Sequence, residues 1–250
     1  MKSLFGFGTL IVSLLAAGHL LAEDITVFAA ASLTDSLKEI ATAYEKTSDD
    51  KVVFNFGASS ALSQQIQAGS PADVFFSADE AKMDALEAKQ LIVKGTRISL
   101  LGNSLVVIAP NNMPPLTKLE DLTLPRIKYI SLGDPKAVPV GIYAKAHLEK
   151  SGLWPQVEAK IIPAENVRAS LAVVESGNAE AGIVYKTDAA ISQKVGISFE
   201  IPAAEGPKIS YPVALVQDSR HAAAARKFLT YLAGPESTAT FQRFGFSIIR

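Results

Sequence analysis

The 250-residue chain contains no cysteine. It can therefore form no disulfide bond, provide no thiolate to a metal ion and carry no lipid on a cysteine. Histidine is also scarce, with three residues in the whole chain, and His147 and His221 lie too far apart in sequence to be recognisable as a metal-ligand pair. The sequence therefore predicts neither a cofactor nor a metal ion held directly by side chains.

A charge excess of either sign is missing as well. The chain has 24 basic and 25 acidic residues, for a net charge of -1 at pH 7. A nucleic-acid-binding surface needs a clear basic excess, so no nucleic-acid partner is expected.

The longest largely apolar segment of the chain lies at the N-terminus. Residues 1–22 combine one basic residue, an apolar run at 10–17 and a small residue, Ala22, just before polar sequence begins. This pattern predicts a secretory signal peptide cleaved after Ala22, with a site near Ala17 or Gly18 as the alternative. No later segment approaches the roughly 20 apolar residues of a membrane span. We therefore expect an exported protein of the periplasm.

The remainder of the sequence alternates between strand-like and helix-like segments, which predicts an α/β fold with helices on the faces of the sheets. The predicted strands are 25–30, 52–56, 73–77, 104–109, 129–132, 181–185 and 210–216, together with a segment that ends at 162. The predicted helices end near 46, 68, 89, 151, 175, 233 and 244.

Proline-rich sequence follows the strand at 104–109 and precedes the strand at 210–216. Such composition is typical of a passage between domains. The sequence therefore predicts two lobes joined by two crossing strands, with a ligand cleft between them. The expected boundaries give one lobe of 23–104 plus 213–250 and a second lobe of 105–212.

Two strand-to-helix junctions, within 25–40 and 54–66, carry serine and no charged side chain. The first-turn N–H groups of a helix have no intrahelical partner and bear about half a positive charge, so they can hold an oxyanion without Lys or Arg. Ser32 and Ser59 stand at these helix starts. The alternative is that each serine only caps its helix, and Ser32 with Asp35 has the spacing of a capping pair.

The junction sequences resemble the ModA-type periplasmic molybdate-binding proteins of ABC transporters, which have the type II periplasmic binding-protein fold. The resemblance extends over essentially the whole predicted mature chain, and the order of the motifs makes it specific. The motifs are VFAAASLTDSL (27–37), FGASSALSQQIQAGSPADVFFSAD (56–79), LLGNSLVVIAP (100–110), GDPKAVPVGIYAK (133–145), PAENVRASLAVVESG (163–177), GIVYKTDA (182–189) and YPVALV (211–216).

The resemblance implies two lobes, each with a mixed sheet flanked by helices, and a binding site rather than an enzyme active site. It implies that hydroxyl and backbone N–H donors hold molybdate or tungstate. The implied donors are the hydroxyls of Ser32 and Ser59, the backbone N–H of Val140 and Val167, and the phenol of Tyr185.

Two positions depart from the pattern of the family. Val140 stands where alanine is common, and Ala58 stands where an additional serine often occurs. We expect Val140 to keep its backbone donor and to narrow the rim of the site. Taken alone, Val167 is an ordinary core residue, and Tyr185 is a residue that could bond to backbone.

The resemblance also implies the partners, namely an ABC permease with its cytoplasmic ATPase, and a monomer is expected. Other readings remain open at this point. The ligand could be sulfate, thiosulfate or a small organic anion. An exported serine hydrolase using Ser59 or Ser60 lacks a recognisable triad or G-x-S-x-G motif. An exported domain with no ligand is the third alternative.

Overall fold

The computed structural model describes residues 23–202 and 204–249, so the predicted signal peptide lies outside the described residues. The strands are β1 Asp24–Ala30, β2 Lys51–Gly57, β3 Val74–Phe76, β4 Ile98–Asn103, β5 Leu105–Pro110, β6 Ile130–Gly133, β7 Ile161–Ala164, β8 Ala181–Tyr185, β9 Val195–Glu200, β10 Ile209–Leu215 and β11 Ser247–Ile248. The α-helices are α1 Thr34–Tyr44, α2 Ser59–Gln67, α3 Glu80–Ala88, α4 Pro139–Lys150, α5 Trp154–Val157, α6 Val167–Glu175, α7 Lys186–Ala190, α8 Ala222–Leu232 and α9 Pro235–Arg243. Short 3-10 helices span Ala31–Leu33, Leu119–Thr123 and Glu158–Lys160.

The strands form two mixed sheets, which confirms the predicted fold class. The first sheet has the order β11-β4-β10-β3-β1-β2, and the second has the order β7-β6-β8-β5-β9. In the first sheet β1 runs parallel to β2 and β3, whereas β10 runs antiparallel to β3 and β4. In the second sheet β6 runs parallel to β7 and β8, whereas β5 runs antiparallel to β8 and β9.

The chain passes between the sheets at two places. It leaves the first sheet between Asn103 and Leu105, and it returns between Glu200 and Ile209. Residues 209–212 pair with β4 in the first sheet, whereas the sequence placed them in the second lobe. The expected boundary at 213 thus cuts across the predicted strand 210–216, which runs through Pro212 with a shift of register against β4. The division of the chain into two lobes stays a prediction.

The helix α1 shows how the sequence pattern fixes the packing. Leu37, Ile40, Ala41 and Tyr44 recur at helical spacing and are all buried. The ring of Tyr44 lies 5.0 Å from that of Phe228 on α8 in an edge-to-face contact. One face of the helix therefore closes one side of the first sheet, as the periodicity predicts.

The strands β4 and β9 were missed by the sequence analysis, because β4 runs directly into the stronger apolar run of β5 and β9 is half exposed.

Among the helices of the described residues, none combines the length and the apolar character that crossing a membrane requires.

The N-terminus of α4 lies unusually close to the end of β6. A Cβ atom added at Gly141 would overlap the backbone carbonyl oxygen of Gly133. At Gly57, by comparison, an added Cβ would meet Leu62 at 3.5 Å, which is an ordinary van der Waals distance. The first turn of α4 is therefore held in place by a glycine that no other residue can replace without a backbone shift.

We expect Gly141→Ala to lower the free energy of unfolding by about 1–3 kcal/mol, the usual cost of overpacking a filled site. Chemical denaturation of the purified protein measures this change. Gly57→Ala is the matched control, and its unfolding free energy should stay close to that of the wild type. Equal stability of the two variants would contradict the close approach of α4 and β6.

Candidate functional site

A cavity lies where helices that follow strands of the two sheets begin, and it holds about 220 Å³ of empty space, part of which is open to solvent. All five sequence-predicted site residues line it, and none of them exposes more than 4% of its surface. The structure thus brings together Ser32, Ser59, Val140, Val167 and Tyr185. Their role as ligand donors stays a prediction.

Ser32 lies in the 3-10 helix that follows β1 and does not cap α1. Its side chain makes no capping hydrogen bond, so the alternative in which Ser32 and Asp35 form a capping pair is wrong. The Ser32 Oγ lies 3.0 Å from the Tyr211 hydroxyl, and Asp35 pairs instead with Arg168 on α6. The physical reason is that the two groups find partners distant in sequence, which a local spacing rule does not detect.

Ser59 is the first residue of α2, and its hydroxyl oxygen already has a donor. The backbone N–H of Ala78 donates to Ser59 Oγ at 2.8 Å. A hydroxyl that accepts from a fixed N–H still has its own proton to donate. The preceding residue, Ala58, has no side chain that could cap α2, so the N–H groups of the first turn also remain open. This corner of the cavity therefore presents donors.

Val140 and Val167 present backbone donors from the other sheet. Val140 is the second residue of α4, where the first intrahelical bond runs from Ile142 N–H to the Val138 carbonyl at 3.0 Å. Val167 is the first residue of α6, where the Asn166 side chain accepts the Ala169 N–H at 2.9 Å. The amides of Val140 and Val167 precede these bonds and have no intrahelical acceptor.

The extra methyl groups of Val140 are accommodated by a glycine. A Cβ atom at Gly133 would lie 2.7 Å from Val140 Cγ1 and 2.8 Å from Val138 Cγ1. Both valine side chains therefore pack over the bare backbone of Gly133. On the side that faces Gly133, the Val140 side chain therefore does not narrow the rim as expected.

Tyr185 ends β8 and contributes a phenol that is fully buried. Its hydroxyl oxygen has no hydrogen-bond partner among the described residues. Burial raises the pKa of Tyr185 well above its ordinary value, so the phenol keeps its proton. An unpaired buried hydroxyl is costly, and a ligand that accepts its proton would remove that cost.

The cavity lining contains no charged side chain. The nearest cation by sequence is Arg168, which follows Val167, and its guanidinium is already engaged. Arg168 Nη2 lies 2.7 Å from Asp35 Oδ2 and 3.5 Å from the Ser32 carbonyl oxygen, and Arg168 Nε pairs with Asp188. The positive charge thus faces two carboxylates and not the cavity.

Asp188 lies in α7 and is completely buried. Burial raises the pKa of Asp188 from 3.8 to about 6, against the opposing effect of the Arg168 guanidinium. Its Oδ2 atom has no hydrogen-bond partner among the described residues. Because Arg168 also binds Asp35 on α1, this cluster connects elements that belong to different sheets.

The sequence analysis missed Arg168, Asp188, Tyr211 and Asn103, which surround the cavity without lining it. The available signal was weak. Arg168 directly follows a predicted donor, and Asp188 lies within the GIVYKTDA motif, but nothing local indicates that the two side chains meet.

The chain belongs to the family of bacterial extracellular solute-binding proteins, whose family profile matches residues 25–247. Within that family it is similar to the molybdate-binding protein ModA of Escherichia coli strain K12. The two are 43% identical over 244 residues, which cover 95% of each chain.

Solved structures agree on the fold. The periplasmic molybdate-binding protein of Azotobacter vinelandii superposes with a TM-score of 0.81 at 24% identity, covering 90% of this chain and 100% of the other. The sulfate-binding protein SubI of Mycobacterium tuberculosis H37Rv superposes with a TM-score of 0.78 at 19% identity, covering 91% of this chain and 87% of the other. At these identities the likeness concerns the fold alone.

We expect Asp188 to make stability depend on pH. Since its pKa is higher in the folded chain, the folded chain binds the proton more tightly than the unfolded chain. The stabilisation is fully present below about pH 4 and is lost as the pH rises through about 6. The unfolding free energy of the wild type minus that of Asp188→Asn should fall over this range in urea titrations. A difference that is constant with pH would contradict the raised pKa.

Proposed function

We propose that this protein captures molybdate and tungstate outside the cytoplasm and delivers them to an ABC permease with its cytoplasmic ATPase. The observation that carries the proposal is the cavity. It gathers three hydroxyls and two helix-start amides from both sheets and has no charged side chain in its lining. Such a set of donors suits a tetrahedral dianion whose oxygens are all acceptors.

The energetics favour binding without a cation. Stripping water from a dianion costs several kcal/mol per charge even after relaxation. A hydrogen bond to a charged acceptor contributes about 1.5–3 kcal/mol, and several such bonds together offset that cost. The starts of α2, α4 and α6 add the favourable ends of their peptide dipoles.

The same donors discriminate against protonated anions. Phosphate at neutral pH keeps a proton, and in this cavity that proton would face a donor and leave both groups unpaired. Sulfate carries no such proton, so it must be rejected by size, because its shorter bonds leave some donors out of reach. Tungstate is almost the same size as molybdate and should bind similarly.

Sulfate is the second candidate ligand, because the sulfate-binding SubI shares the fold and a neutral donor set suits either dianion. The 43% identity to a molybdate-binding relative favours molybdate. A serine hydrolase is disfavoured by the geometry, since Ser59 Oγ accepts the Ala78 N–H and no histidine lines the cavity. Of the two histidines in the described residues, His221 contacts Asp73 and His147 lies on α4.

The remaining parts of the proposal concern organisation and location. We assign residues 23–104 and 209–249 to one lobe and 105–208 to the other, and domain closure about the two crossings encloses the ligand. Export through a signal peptide at residues 1–22 would place the mature chain in the periplasm. We expect the mature chain to be a monomer. Membership in an extracellular solute-binding family supports this location.

Isothermal titration calorimetry with sodium molybdate, tungstate and sulfate tests the ligand. We expect one tight site per chain for molybdate and tungstate, and weak or undetectable binding of sulfate. Equal affinity for sulfate would defeat the proposed selectivity, and the absence of binding or of any ligand-induced rise in melting temperature would defeat the proposed function.

The unpaired phenol gives the sharpest single-atom test. Tyr185→Phe removes a hydroxyl that has no partner in the free protein, so the stability of the free protein should be unchanged or slightly higher. Affinity for molybdate should fall roughly 10- to 100-fold, the value of one hydrogen bond to a charged acceptor.

Tyr44→Phe is the matched control, because Tyr44 is also buried and its hydroxyl bonds to Asp50 away from the cavity. Its affinity for molybdate should equal that of the wild type. Unaltered binding by Tyr185→Phe would remove Tyr185 from the proposed donors.

A further inference from the structure

A buried hydroxyl lies directly behind Ser32. The Tyr211 phenol, on β10, is 3.0 Å from Ser32 Oγ and 3.1 Å from the Nδ2 atom of Asn103. Tyr211 is fully buried and does not line the cavity. It therefore touches a proposed ligand donor without being able to touch the ligand.

The direction of the Asn103 bond is fixed by the backbone. The Ser104 N–H donates to Asn103 Oδ1 at 2.9 Å, which identifies the oxygen side of the amide. The Nδ2 side then faces Tyr211 and also Thr187 Oγ1, at 2.9 Å. An amide nitrogen can only donate, so the Tyr211 oxygen is the acceptor in this contact.

The hydroxyl proton of Tyr211 then has one available acceptor. Burial raises the pKa of Tyr211 well above its ordinary value, so the phenol stays protonated. Among the described residues, its hydrogen-bond partners are Asn103, which is a donor, and Ser32. If Ser32 donated to Tyr211, the phenol proton would be buried without an acceptor. Tyr211 therefore donates to Ser32.

We propose that Tyr211 is a positioning residue that fixes Ser32 as a donor to the bound oxyanion. The chain of bonds runs from Asn103 to Tyr211, from Tyr211 to Ser32 and from Ser32 into the cavity. At Ser59 the Ala78 N–H has the same effect, so both serines turn their protons inward. The inference rests on the proposed function, which it deepens by explaining why the site rejects a protonated anion.

The position of Asn103 ties this arrangement to the crossing between the sheets. Asn103 is the last residue of β4, and Thr187, its second acceptor, lies in α7 beside the other sheet. The amide is thus held by groups from both sides. The bonds from Asn103 through Tyr211 to Ser32 all lie on the side of the first sheet, and the bond to Thr187 joins their starting point to the second.

A double-mutant cycle separates positioning from a general structural role. Molybdate affinity is measured by calorimetry for the wild type, Tyr211→Phe, Ser32→Ala and the double variant. Tyr211→Phe keeps the ring and its contact with Phe246 and removes the hydroxyl alone. We expect it to weaken molybdate binding roughly tenfold in the wild type and to have little effect in Ser32→Ala, because its target is then absent.

An equal loss in both backgrounds would overturn the inference, as would the absence of any loss in the wild-type background. Tyr44→Phe again controls for the removal of a buried hydroxyl and should leave the affinity unchanged. If Tyr211→Phe does not fold, Asn103→Leu supplies a second cycle with Ser32→Ala, since it removes the donor to Tyr211 without adding charge. The same coupling to Ser32 is expected, and additivity would again overturn the inference.

The same measurements separate a failure of the proposed function from a failure of the role proposed for Tyr211. A wild-type protein that does not bind molybdate defeats the proposed function. A wild-type protein that binds, combined with an additive cycle, leaves the function standing and defeats the role of Tyr211 alone.

Discussion

A buried anion without a neighbouring cation must be held by donors that are already oriented, because each donor that has to be reoriented or dehydrated weakens binding. The fold meets this constraint by ending strands next to helix starts. The amides of Val140 and Val167 are free because they precede the first intrahelical bonds. Gly141 and Gly133 allow α4 to approach β6 closely enough to present one of them. Without this approach the cavity would lose the Val140 amide, one of its donors from the second sheet.

The cavity is free of charged side chains, and the nearby positive charge of Arg168 is neutralised by carboxylates behind the lining. An exposed guanidinium beside the site would attract any anion at long range and would do little to separate one dianion from another. Here Asp35 and Asp188 hold the charge behind the lining. In the proposed site, discrimination between anions then depends on the geometry and the number of the donors, which respond to the size and protonation of the ligand. This arrangement buries the Asp188 carboxylate, which is unfavourable for its charged form and raises its pKa.

The fold and the residues that line the cavity could be predicted because the signals for both lie in short, contiguous segments of the sequence. Strand-helix alternation predicted the α/β class. Motif resemblance implied the two mixed sheets and pointed to five residues that the structure gathers in one cavity. The alternative capping role of Ser32 was wrong, and the boundary at 213 cut across a strand, because each feature depends on a partner distant in sequence. Ser32 bonds to Tyr211, which is 179 positions away, and β10 is recognised by its pairing with β4. Side-chain networks of this kind have no periodicity that a sequence could reveal.

In the proposed function, the distribution of the donors also couples binding to closure. Ser32 and Ser59 follow strands of the first sheet, whereas Val140, Val167 and Tyr185 belong to elements of the second. A ligand that contacts only one set gains part of its hydrogen bonds, so its affinity for an open arrangement is lower than for the closed one. That difference is the free energy by which the ligand shifts the population toward closure. The ion pair of Arg168 with Asp35 adds an attraction across the same boundary that does not involve the ligand. The ligand therefore needs to supply only the remainder of the free energy of closure.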